Sequence, residues 1–195
     1  MKNRRMIIYA LILTILVSLI IFLYVNHNYY VNVRIQNENT LHTMRARALY
    51  IYGAEANLIV YHFDEYLQTL DNDTHKEAGW AIHRLTIAGE ALIQGVSEES
   101  GAMYYELKRI ADSMEWKFVH EFSIRKNTTM IDLVRQPLHQ ISEACTRSFR
   151  MLKNKDPIEY LEESSQLHDT PNANEVIGYC EQIQEILNLF ILVMK

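Results

Sequence analysis

The stretch TMIDLVRQPLHQISEACTRSFRMLK, Thr129–Lys153, decides the fold. Ile131, Val134, Leu138, Ile141, Cys145, Ser148 and Leu152 recur in alternating steps of three and four. A helix of about 3.6 residues per turn gathers such a set onto one stripe, whereas a strand scatters it over both faces. The end of the chain repeats the pattern with Ala173, Val176, Cys180, Ile183, Leu187, Phe190 and Met194. Both are seams of the coiled-coil type. Folded antiparallel, they match layer for layer: Leu152 with Ala173, Ser148 with Val176, Cys145 with Cys180, and on to Ile131 with Met194. This register brings the only two cysteines of the chain together.

Outward from that pair the same three-and-four spacing continues. Glycine and proline are scarce, at six and three, and no segment alternates apolar and polar residues over strand length. A first helix is expected from about Asn39 to Leu70, with a stripe from Leu49 and Tyr52 to Tyr66 and Leu70, and it is free to continue upward from the N-terminal segment. Asp71-Asn72-Asp73 reads as the turn that ends it. Thr74 with Glu77 reads as a capping box for a second helix carrying Ala81, Leu85, Ala88 and Leu92, stopped by Gly95. Ser97 is the expected cap of a third helix whose stripe is Met103, Leu107, Ile110, Met114, Phe118 and Phe122. Pro137 should bend the fourth helix, Asp156-Pro157 with Glu159 opens a short one, and Thr170-Pro171 opens the last.

The N-terminal segment is of another kind. Met6–Val25, MIIYALILTILVSLIIFLYV, carries no charge over twenty residues. At about 1.5 Å per residue a helix of that length spans about 30 Å, the thickness of a bilayer's hydrocarbon core. A cleaved signal peptide has a shorter apolar region, roughly 7–15 residues, and ends at a small-residue site. This run instead leaves through Tyr24, Val25, Asn26, His27 and Asn28. Lys2, Arg4 and Arg5 precede it, and the next basic residue is Arg34, so the positive-inside rule places the N-terminus in the cytoplasm. The expected organisation is a cytoplasmic tail at 1–5, a transmembrane signal-anchor helix at 6–25, a juxtamembrane connector at 26–38 and an extracytoplasmic bundle at 39–195. The fold class is all-α: one transmembrane helix, then an antiparallel bundle of four to five helices. With five residues behind the span, activity is expected outside or laterally through the membrane.

Residues 26–195 hold 24 acidic and 16 basic residues, a net charge of −8. That balance argues against nucleic-acid binding, which needs a basic footprint, and against adsorption to anionic lipid. An oxidising compartment permits a Cys145–Cys180 disulfide. Closing a loop of about 36 residues contributes roughly 4 kcal/mol in the chain-entropy model. The alternative is two buried thiols acting as small apolar residues.

No motif specifies chemistry. Eight histidines are present, but Glu-x-x-His and His-Glu-x-x-His are absent, as are a phosphate loop, a nucleophile elbow and Cys-x-x-Cys. No cofactor is expected. His62, His83, His120 and His139 serve a metal only if the bundle makes them converge. Asn72 and Asn127 stand in glycosylation acceptor patterns, which matter only in a secretory pathway that reads them. Ala10, Thr14 and Ser18 form a small-residue stripe on the membrane helix, a surface for a partner helix. The apolar run Ile186–Met194 is too short to span a bilayer and reads as core packing or an exposed patch. The expected function is a membrane-anchored, extracytoplasmic binding, accessory or regulatory protein, with a protein partner or self-association through helices. A small-molecule sensor, or a metal-binding protein or enzyme using histidines and carboxylates within the bundle, is the alternative.

Overall fold

The computed structural model describes residues 2–94, 96, 101–120, 128–153 and 173–193. Among these every regular element is helical: α1 (Lys2–Thr69), α2 (Asn72–Ile93), α3 (Ala102–Met114) running into a π-helical turn (Glu115–His120), α4 (Thr128–Lys153) and α5 (Ala173–Val193). The chain is an all-α helical bundle with an apolar N-terminal helix. It divides into two compact units at Thr40/Leu41.

The first unit is one helix, and residues 26–38 are helical throughout. From Leu13 to Asn37 it is long and apolar enough to cross a membrane by length and composition, and none of it is buried in protein. Leu13 and Ile20 on one face of the helix and Phe22 on the opposite face are each 64% exposed. Thr14 and Ser18 are exposed, while the side chain of Ala10 lies outside the described residues.

The second unit packs the rest of α1 with α2 to α5. Four contacts set the arrangement. Ser142 on α4 donates to the carbonyl of Gly53 on α1 at 2.6 Å, and Tyr52 donates to the carbonyl of Leu107 on α3 at 2.7 Å. α4 packs on α5, and α5 packs on α3. These neighbours close a square of α1, α4, α5 and α3, with α2 laid over the α1–α3 edge, where Arg84 meets Glu55 at 2.9 Å. Arg147 pairs with Glu175 at 2.9 Å while Cys145 lies beside Cys180, so α4 and α5 run antiparallel. Every described position of the two seams, from Ile131 to Ser148 and from Ala173 to Leu187, is buried. So are Leu49, Tyr52, Ala56, Ile59, Phe63 and Tyr66 of α1.

The helix ends differ from expectation. α2 begins at Asn72 behind Asp71, which makes no side-chain capping bond, and Thr74 is buried inside the first turn rather than capping it. The α1–α2 turn is correspondingly tighter than Asp71-Asn72-Asp73. Leu70 takes it in left-handed backbone, φ 53°, with its N–H on the carbonyl of Tyr66 at 2.7 Å. α3 starts at Ala102 after Gly101. The expected caps Gly95 and Ser97, the short helix at Asp156-Pro157 with Glu159, Thr170-Pro171, Asn127 and Met194 lie outside the described residues, as do the side chains of Leu152 and Phe190. Pro137 lies inside α4 and is buried.

Candidate functional site

Trp80 is a large aromatic side chain that the fold leaves 62% exposed. It sits on the outer face of α2 with His75, Lys76, Gly79 and His83, spacings that share one side of a helix. The π turn after α3 supplies the opposite wall through Glu115, Phe118 and Val119. Between them lies a groove of about 400 Å³, the size of a small-molecule site, lined mainly by apolar atoms.

The π turn explains the wall. Beyond Ile110 the apolar stripe steps by four to Met114 and again to Phe118. In an α-helix each step of four overshoots the stripe by about 40°. The wider turn absorbs that drift and keeps Met114 and Phe118 both buried. Phe118 packs on Phe63 of α1, ring centres 5.1 Å apart, and forms the floor. A Cβ at Gly79 would meet Val119 at 3.8 Å, an ordinary contact, so this glycine widens the groove rather than relieving a clash.

The polar groups are few and placed. His83 Nδ1 is 2.7 Å from Glu115 Oε1. A carboxylate only accepts, so Nδ1 carries the proton in that bond and the Nε2 of a neutral ring is left an acceptor. The Glu115 side chain is only 21% exposed. Lys76 lies 2.6 Å from Asp73, and their hydrogen bond holds the lysine above its ordinary range and the aspartate below it. The lysine's charge is thus compensated at the groove's edge. His75 rests edge-on against Tyr66, centroids 5.3 Å apart.

The expected residues lie elsewhere. Cys145 and Cys180 are buried, unbonded thiols in the middle of the square, facing Tyr52. Burial pushes the Cys145 thiol up to about 12. It raises Cys180 too, with a further contribution from Cys145, and a thiol so held is a poor nucleophile. Among the described residues His62, His83 and His139 do not converge. His62 lies 3.9 Å from Glu65, and His139 lies 3.5 Å from Glu143. His83 belongs to the groove, and the side chain of His120 lies outside the described residues. Among the described residues no three His, Cys, Asp or Glu side chains are placed to share a metal ion. Asn72 is exposed at the start of α2.

Sequence reasoning missed the groove. Two signals pointed to it: Trp80 at an off-stripe position, and the change from alternating steps to steps of four after Ile110. No protein-family model, curated protein or solved structure matches this chain.

Proposed function

We propose that this chain is a single-pass membrane protein whose helical bundle works outside the cytoplasm as a binding, accessory or regulatory module. The observation that carries the reading is the run from Leu13 to Val25, apolar on every face and buried against no protein. A helix apolar all round needs either a protein core or lipid around it, and among the described residues this one is not buried. Lys2, Arg4 and Arg5 just before it, with Arg34 the next basic residue after it, support an extracytoplasmic bundle.

The test has two arms. In membranes stripped with alkaline carbonate the full chain should stay in the pellet, and Leu16→Lys/Leu19→Lys should be released or degraded. A reporter enzyme that folds only after export, fused after Lys195, should be active. Release of the unaltered chain would sink the anchor, and an inactive reporter would sink the topology.

Within the membrane, Ala10, Thr14 and Ser18 offer the surface by which this helix meets a second one. A photo-reactive residue at Ser18 that captures no helix in native membranes removes that idea. A second functional reading has an observation of its own: the Trp80 groove favours a small-molecule sensor or carrier over a purely structural tether.

A further inference from the structure

We infer that the groove between α2 and the π turn binds a small organic cation, an amine with an aromatic or alkyl body; this rests on the small-molecule reading above. The body follows from the walls. Trp80 is exposed on one side, Phe118 closes the floor, and Gly79 leaves room where any side chain would stand. Such a slot takes a flat or slender apolar group and excludes water from it.

The charge follows from the polar groups. Glu115 faces the groove as a largely buried carboxylate, held in place by His83. With Nδ1 committed to that bond, a neutral His83 adds a second acceptor, Nε2. Lys76, the one lysine or arginine among the described lining residues, is exposed and paired with Asp73. The groove therefore presents acceptors and an indole face, and both favour a positive ligand: ammonium N–H donates to carboxylate, and a cation over indole is attracted by the ring quadrupole. The field of the remainder, 24 acidic against 16 basic residues over 26–195, acts in the same direction and raises the local concentration of cations. An anion would meet a carboxylate in an apolar slot and is disfavoured on the same grounds.

The test uses the full chain in zwitterionic lipid nanodiscs with Trp116→Phe, so that Trp80 is the sole indole. Its fluorescence is titrated with three probes of one shape: 2-phenylethylammonium, neutral 2-phenylethanol and anionic 3-phenylpropionate. The ammonium ion should quench saturably and bind at least tenfold tighter than the other two. Glu115→Gln should erase that tenfold preference while keeping the alcohol's affinity. Trp80→Ala, a change at an exposed position, should abolish ammonium binding as read by calorimetry. If Glu115→Gln loses its cooperative melt, the charge preference of the parent chain and the Trp80→Ala result decide. Alcohol or carboxylate binding as tightly as ammonium overturns the cation assignment and leaves the small-molecule reading standing. No saturable binding by any probe overturns both.

Discussion

Single side chains in this bundle conflict with their surroundings in ways that can be measured. Ser148 occupies a seam position, 1% exposed, and its hydroxyl has no hydrogen-bond partner among the described residues. A buried, unsatisfied hydroxyl costs about 1–3 kcal/mol of desolvation. Ser148→Ala should therefore raise stability by about 1 kcal/mol in urea unfolding, and a loss would show that the hydroxyl has a partner. Leu70 is the other case. It ends α1 at φ 53° with its side chain 62% exposed, so it bears the strain of the left-handed region and gains little burial in return. That conformation costs a non-glycine residue about 1–2 kcal/mol. Leu70→Gly should stabilise by about 1 kcal/mol, the gain being reduced by glycine's greater freedom when unfolded, and thermal melts would read it as a rise of about 2–4 °C.

At the scale of the element, glycines separate helix contacts from helix propensity. A Cβ on Gly53 would lie 3.1 Å from the carbonyl oxygen of Ser142 and 3.2 Å from Cys145 Cβ, neither of which is the end of a flexible chain. A Cβ on Gly178 of α5 would meet nothing within 4 Å. Alanine returns up to about 1 kcal/mol of helix propensity at either place, but overpacking costs about 1–3 kcal/mol where backbones touch. Gly53→Ala should thus destabilise by about 1 kcal/mol and weaken the Ser142–Gly53 bond, while Gly178→Ala should stabilise by a similar amount. Equal effects from the two would mean that α1 and α4 do not cross at Gly53. The same elements show what was legible in the sequence. The seams of α4 and α5 were, because burial on one helix face leaves a three-and-four spacing that survives any tertiary detail. The start of α2 was not: Thr74-x-x-Glu77 is a good capping pattern, yet burying Thr74 proved the better use of it. The groove was not legible either. It is made by α2 and by a π turn whose only trace is apolar residues in steps of four from Ile110 onward.

At the scale of the whole molecule, stability converges on the layer where Tyr52, Leu107, Cys145 and Cys180 bring four helices together. Tyr52 spans it, fully buried, with its hydroxyl on the Leu107 carbonyl. The state of the two thiols should set how the fold responds to alkali. Burial disfavours the thiolate, so in the folded chain both cysteines keep their protons above the ordinary value of 9.0, Cys145 up to about 12. Above pH 9 the folded state therefore binds more protons than the unfolded state, and stability falls as pH rises; below pH 9 this contribution is constant. The slope is about 1.4 kcal/mol per pH unit per thiol. Reduced protein should lose stability between pH 9 and 10 faster than Cys145→Ala/Cys180→Ala, which carries the same surface charges without the thiols. Protein folded in an oxidising compartment has a second option, a Cys145–Cys180 bond between α4 and α5, which removes both titrating groups and closes the loop between them. That form should follow the slope of the double variant while unfolding at higher urea than reduced protein. Its mass should rise on reduction and the steeper alkaline slope should then appear. If reduction changes neither mass nor slope, the layer holds two thiols in the native protein, and packing alone joins the last two helices there.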